Sequence, residues 1–334
     1  MGAAKREFAG AARGRQGAAM DIRFLSKQCV ARLLDPKALL DALEQGFADL
    51  SEGRVACPVR PELSVPDAGF LLPMAAWQAG HSMTVKMVTV FDGNVERGQP
   101  SHLALICLFD PQTGATRTIM DGEHITALRT AGSAVVSVRL LARPDAKRLT
   151  ILGAGVQGRA HLLLAPLVRD FDEILIGSLV YEDAVALAAT HPKARAIRSF
   201  DEAVRASDVV CLASHARAPI IANDWLPAGC HVTSVGYAPP SGELDPEIAR
   251  RHRLFVETRL AFAPPPAGCA ELAGLSADAA TELGEVRIGR RDGRRDAAEI
   301  TVYKAMGVAM EDMVAANLVD RRAQREGAGQ IVEL

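Results

Sequence analysis

At 334 residues the chain has room for two domains, and a 49% hydrophobic share can furnish two cores, which excludes a disordered polypeptide. A formal net charge of -2 without long basic runs excludes nucleic acid as the main partner, because neutralising phosphates takes clustered Lys and Arg. Six cysteines, Cys29, Cys57, Cys107, Cys211, Cys230 and Cys269, form no CxxC pair and no four-ligand pattern with histidine, so no metal site is expected.

Residues 1–19 are rich in Ala, Gly and Arg and lack apolar periodicity. They read as a disordered tail or as sequence upstream of a start at Met20, with a transit peptide as the alternative. Without a secretory signal or a spanning apolar run, the expectation is a cytoplasmic protein with reduced thiols and no membrane partner. Residues 21–26 predict a strand, and residues 26–51 predict two helical pieces around Pro36, with Leu33, Leu39, Leu40, Leu43, Phe47 and Leu50 on one apolar face. From 55 to 119, runs such as Phe70-Leu-Leu, Thr84-Val-Lys-Met-Val-Thr-Val-Phe and Leu103-Ala-Leu-Ile-Cys-Leu-Phe are separated by Pro66-Asp-Ala-Gly, Asp92-Gly-Asn and Asp110-Pro-Gln-Thr-Gly. That pattern predicts an antiparallel sheet.

Three cations stand out in this half. Lys86 interrupts an apolar, β-branched strand, so its ammonium either snorkels to one face or enters a cleft that holds an anion. Arg60 follows Cys57-Pro-Val in an extended segment, where a lone Arg is ordinarily solvated. Arg129 lies in Ile125-Thr-Ala-Leu-Arg-Thr-Ala-Gly, a helix of small residues, and an Arg among Ala and Gly needs a partner.

Arg148-Leu-Thr-Ile-Leu runs into Gly153-Ala154-Gly155-Val156-Gln157-Gly158 and then a helix. The spacing is a dinucleotide fingerprint: Gly153 permits the tight turn, Gly155 lets backbone approach a pyrophosphate, and Gly158 lets the helix pack on the strand. Further strands at 173–178, 195–199, 208–213, 231–235 and 254–257, with a helix at 201–206, predict a doubly wound parallel sheet. Its ligand edge then includes Ser214 and Gly236-Tyr237. Ser178 ends the second strand where NAD folds place a carboxylate, which leans toward NADP; no Arg follows directly, and Glu182 and Asp183 pull the other way, so NAD and NADP both stay open. Residues 258–298 predict short irregular helices, with Arg290-Arg291 and Arg294-Arg295 as a solvated loop. A strand at 299–307 and an amphipathic helix at 308–325 follow.

The chain resembles the ornithine cyclodeaminase and mu-crystallin family from about 20 to 327. The resemblance rests on Lys86-Met-Val-Thr-Val-Phe-Asp-Gly-Asn94, Met120-Asp-Gly-Glu-His-Ile-Thr-Ala-Leu-Arg129-Thr-Ala, the glycine turn, Gly242-Glu-Leu-Asp-Pro-Glu-Ile and Glu299-Ile-Thr-Val-Tyr-Lys-Ala-Met-Gly307. It implies an α/β fold in which a Rossmann domain over 128–307 joins a smaller α+β dimerisation and substrate domain over 20–127 plus 308–330. It also implies a homodimer acting on a small amino or imino acid. The implied substrate grip is Arg60, Lys86 and Arg129, with Lys86 as the catalytic residue. Expected cofactor contacts are Ser101, Arg129, Gly153, Ala154, Gly155, Val156, Gln157, Gly158, Ser178, Ser214, Val235, Gly236, Tyr237 and Lys304.

One departure redirects the functional expectation. Ornithine cyclodeaminases carry an acid/base Asp just after the Val-Gly of the fifth strand, where this chain has Val235-Gly236-Tyr237-Ala238. Ala238 cannot transfer a proton, and Tyr237, with an ordinary pKa of about 10, is a poor base near neutrality. The expectation is therefore an NAD(P)-dependent reductase of a cyclic ketimine, or a dehydrogenase of a small amino acid. The alternatives are a cyclodeaminase making proline from ornithine, and a non-catalytic NADPH-binding protein. His102, His124 and His215 read as hydrogen-bonded structural residues.

Overall fold

Two runs of apolar patterning build two sheets, and the computed structural model describes them over residues 21–236, 238 and 241–333. The expectations for residues 1–19, Met20 and Tyr237 lie outside the described residues. The first run gives β1 (Asp21–Leu25), α1 (Lys27–Leu33), α2 (Pro36–Ser51), β2 (Val55–Ala56), β3 (Leu63–Val65), β4 (Gly69–Gln78), β5 (Met83–Val90), β6 (His102–Phe109), β7 (Thr116–Asp121) and α3 (Glu123–Leu141). Pro36 starts α2 because its missing N-H falls where no helical partner exists, and Asp35 caps the turn by accepting from the Ala38 N-H at 2.7 Å.

The second run gives β8 (Arg148–Leu152), α4 (Val156–Leu164), β9 (Glu173–Gly177), α5 (Tyr181–Ala188), β10 (Ala194–Ala196), α6 (Phe200–Arg205), β11 (Val209–Leu212), β12 (His231–Ser234), α7 (Pro246–Arg251), β13 (Arg253–Val256), β14 (Thr281–Glu282), α8 (Leu283–Arg287) and β15 (Thr301–Lys304). The chain closes with α9 (Ala309–Glu326) and β16 (Gln330–Glu333).

The first sheet runs in the order β16-β1-β7-β6-β5-β4-β2, with β3 also on β4. From β2 to β7 the pairing is antiparallel, as the turn signals require. It becomes mixed at the far edge, where β1 pairs parallel to β7 and antiparallel to β16, a strand the sequence reading did not place. Along β5, Thr84, Lys86 and Val88 are buried on alternate positions, and α9 packs on β4, β5 and β6 as well as on α2 and α3. The last helix thus lies on the first sheet, far in sequence from its strands.

The second sheet is parallel throughout, in the order β10-β9-β8-β11-β12-β15-β13-β14. Its strands read as unbroken apolar runs because helices cover both faces. The chain leaves β8 toward one edge through β9 and β10, then returns to β11 on the other side. The glycine turn after β8 therefore sits at the topological switch point. β15 inserts between β12 and β13, which carries Lys304 to the centre of the carboxyl edge and aims the chain back to α9.

The arginine loop differs from the expected solvated one. Arg294 is partly buried and donates to the carbonyls of Leu141, Glu299 and Cys230 and to Thr301 Oγ1, so it ties the end of α3 to β12 and β15. Arg295 stays exposed and pairs with Glu299. Among the described residues, no helix is long and apolar enough to cross a membrane.

Gly158 illustrates how tightly the switch point is packed: a Cβ there would lie 1.9 Å from the backbone oxygen of Gly153. Gly158→Ala should lower unfolding stability by about 1–3 kcal/mol, since backbone cannot yield as a side chain can. Denaturant titration checks this, and an unchanged midpoint would contradict the packing described.

Candidate active site

The glycine turn fits a dinucleotide. Gly153 has φ +126° and a Cβ on it would meet the Ala213 carbonyl oxygen at 2.2 Å, so the β8 and β11 ends approach as closely as backbone allows. A Cβ on Gly155 would meet nothing within 4 Å, leaving open space in front of the helix. No side chain caps the start of α4, so its first N-H groups face that space as an anion site. Val156 is exposed there, Ala154 is buried behind it, and Gln157 Oε1 is buried without a partner among the described residues.

Glu243 organises the neighbouring strand ends. Its fully buried carboxylate accepts from the Ser214 N-H and hydroxyl, both at 2.7 Å, from Ser234 Oγ at 3.0 Å, and from the N-H groups of Val235 and Gly236 at 3.1 and 2.6 Å. One carboxylate thus fixes the ends of β11 and β12. The sequence singled out its motif but gave Glu243 no role. Lys304, expected to contact a cofactor, is fully buried, donating to Ser234 Oγ, to the Gly236 carbonyl at 2.7 Å and to Glu271 at 2.8 Å. All three ammonium hydrogens are engaged, and the residue supports Gly236 from below.

The first sheet supplies the opposite wall. The Ser101 carbonyl accepts from the Phe91 N-H at 2.8 Å, and the Ser101 hydroxyl lies 3.0 Å from His102 Nδ1. Across the gap, His215 is close enough for its charge to help lower the pKa of His102, behind the larger effect of burial, and Arg217 reaches Asp92 at 3.4 Å. The loops after β5 and β11 therefore meet at one mouth.

Below that mouth lie the cations. Lys86 is fully buried, with Nζ 2.9 Å from Asp312 Oδ1. Arg129 donates Nε to the same oxygen at 3.1 Å and Nη1 to Glu311 at 2.7 Å. Arg60, half-buried, donates to the carbonyls of Pro266, Met306 and Gly307. Glu257 accepts the Met306 and Gly307 N-H groups, and a cavity of about 30 Å³ is lined by Arg60, Met74, Glu257, Met306, Gly307 and Val308. The structure thus gathers the three cations found in the sequence. It adds Asp312, Glu311 and Glu257, which sequence reasoning missed because acids on an amphipathic helix and at a strand end look like solvated residues.

Burial, then the nearby Arg129 charge, pulls the Lys86 ammonium down to about 8, against the upward pull of Asp312. Burial and the adjacent Glu257 push the Glu311 carboxyl well above the usual carboxylate range, against the pull of Arg129. Arg60, Lys86 and Arg129 thus converge with three carboxyl groups, Asp312, Glu311 and Glu257, in one region. Ala238 is buried, bridged to Ser241, and offers no ionisable group. Among the described residues, no cluster of three His, Cys, Asp or Glu side chains is placed to hold a metal.

A parallel sheet whose switch-point turn presents uncapped helix N-H groups, walled by a second sheet, defines an α/β protein with a Rossmann-type half. The family model for ornithine cyclodeaminase/mu-crystallin matches residues 20–327, and the chain belongs to that family. It is 37% identical over 304 residues to ketimine reductase mu-crystallin of Mus musculus, covering 89% of this chain and 96% of that one. The structure of Thermococcus litoralis Delta(1)-pyrroline-2-carboxylate reductase in complex with NADH and L-proline superposes with a TM-score of 0.86 at 31% identity, covering 93% of this chain and 100% of that chain. The iminosuccinate reductase of Paracoccus denitrificans in complex with NAD+ superposes with a TM-score of 0.85 at 25% identity, covering 94% and 100% respectively.

The two buried acids of α9 should respond differently to neutralisation. Asp312→Ala strands two buried cations and should cost about 3–5 kcal/mol. Glu311→Gln keeps the shape and a hydrogen-bonding group at a carboxyl whose charged form burial disfavours, and should cost about 1 kcal/mol or less. Chemical denaturation of both variants checks the ranking, and the reverse order would contradict these charge states.

Proposed function

We propose that this protein is an NAD(P)-dependent reductase of a small cyclic imino acid, working by hydride transfer to the C=N carbon. The carrying observation is the convergence of Arg60, Lys86 and Arg129 at one place between the two sheets, cations that a substrate carboxylate can engage. Arg60 and Arg129 hold that carboxylate, since a guanidinium can present two parallel N-H groups to it. The bound cofactor supplies the hydride. Lys86, with an ammonium already near neutrality in its proton affinity, delivers a proton toward the imine nitrogen, and Asp312 keeps Nζ aimed. The similarity to reductases of pyrroline-2-carboxylate and ketimines supports this reading.

Deamination needs an acid/base group where Ala238 stands, so the cyclodeaminase alternative lacks its proton carrier. A purely binding role leaves the perturbed Lys86 without use. We also propose a homodimer formed through the outer face of the first sheet, where Leu63, Trp77, Leu103 and Leu105 are all exposed.

Lys86→Met should lower turnover by about 10²–10⁴-fold while leaving cofactor affinity nearly unchanged; retained turnover would remove Lys86 from the mechanism. The pH dependence has a definite sign. Imine reduction uses the ammonium form, so kcat/KM should fall about tenfold per pH unit above about 8, whereas amine oxidation uses the neutral amine and should rise through the same range. A reduction rate that climbs above pH 8 would contradict the assignment.

A further inference from the structure

The second strand of the dinucleotide half carries no carboxylate at its end, and its neighbour brings an arginine to the same level. β9 and β10 run parallel with Ala194 opposite Ile174 and Ala196 opposite Ile176, and the Ile197 N-H continues the ladder to the Ile176 carbonyl at 2.9 Å. Extending that register two residues sets Arg198 across from Ser178. The two strand ends are pressed together there, since a Cβ on Gly177 would meet the Phe200 ring at 2.7 Å and Ile197 Cδ1 at 2.9 Å. Arg198 is exposed, and its Cζ stands 3.6 Å from the centroid of the Tyr181 ring at the start of α5. Among the described residues, no carboxylate lies within ion-pair distance of it, although most arginines of this protein have one.

Stacking on an aromatic face holds a guanidinium flat and limits its rotamers while leaving its N-H edge available. Tyr181 covers one face of Arg198, which leaves the other face and the edge for a ligand. A 2'-hydroxyl ribose calls for a carboxylate acceptor at the end of the second strand, and Ser178 is not one. A 2'-phosphate calls for a fork of donors with a hydroxyl beside it, which Arg198 and Ser178 supply. Beside them Leu179 is fully exposed and Val180 half exposed, an apolar edge of the kind a flat heterocycle covers.

We propose that Arg198, braced on Tyr181 and paired with Ser178, is the residue that recognises the 2'-phosphate of NADP and makes it the preferred cofactor. The assignment rests on the nicotinamide-cofactor reading of the cleft and specifies which cofactor enters it. Glu182 and Asp183, exposed in the first turn of α5, oppose a phosphate only at longer range and through solvent.

Fluorescence titration of the full chain with NADPH and with NADH, without substrate, tests it independently of turnover. The wild type should bind NADPH at least about tenfold more tightly than NADH. Arg198→Ala should weaken NADPH about 10–100-fold and NADH by less than about threefold, and Arg198→Lys should restore part of the loss by returning the charge without the fork. Ser178→Asp should move preference toward NADH. Tight NADH binding with weak NADPH binding in the wild type would overturn this assignment alone, as would an equal loss of both in Arg198→Ala. Failure of either cofactor to bind would overturn the nicotinamide reading on which it rests.

Discussion

One buried carboxylate, Asp312, holds Lys86 and Arg129 together. It accepts from Lys86 on β5 and from Arg129 on α3, two buried cations that would otherwise repel each other. The three residues come from positions 86, 129 and 312, so the pairing also fastens the last helix to the first sheet. Desolvating three charges is expensive, and their mutual attraction only offsets that expense. What the arrangement secures is less stability than geometry: two cationic donors fixed on one carboxylate oxygen.

A second carboxylate plays a comparable part on the dinucleotide side. Glu243 gathers Ser214, Ser234, Val235 and Gly236, so the carboxyl ends of β11 and β12 are locked before any ligand arrives. Lys304, itself paired with Glu271, then braces Gly236 by donating to its carbonyl. The cleft is thereby rigid on the wall that would carry a nicotinamide and charged on the wall that would carry an acid. Preorganisation of both walls suits hydride transfer, in which the reacting atoms must meet at near contact.

The local features of this fold were legible in the sequence because they are backbone constraints. Gly153 and Gly158 are glycines for reasons that act within a few residues, and the apolar runs of β8, β9, β11 and β12 mark buried parallel strands on their own. Lys86 and Arg129 were visible as misfits among apolar and small neighbours. Their partners were not, because Asp312 lies 226 residues from Lys86 and Glu311 lies 182 from Arg129, in a helix whose mixed charges read as an ordinary solvated face. Glu243, Arg294 and β16 escaped for the same reason: each takes its meaning from segments that only the tertiary fold brings near. The stacked Arg198 was hidden too, since parallel register rather than sequence proximity sets it beside Ser178.

The central claim, net imine reduction at the three-cation site, is tested most directly by absorbance at the reduced-nicotinamide band. Purified protein would be supplied with NADPH or NADH and a panel of pyrroline-2-carboxylate, piperideine-2-carboxylate, and pyruvate with ammonia or methylamine. The account predicts stoichiometric loss of reduced cofactor with at least one cyclic ketimine. A flat signal across the panel, together with ammonia and proline released from ornithine in the presence of NAD, would contradict it.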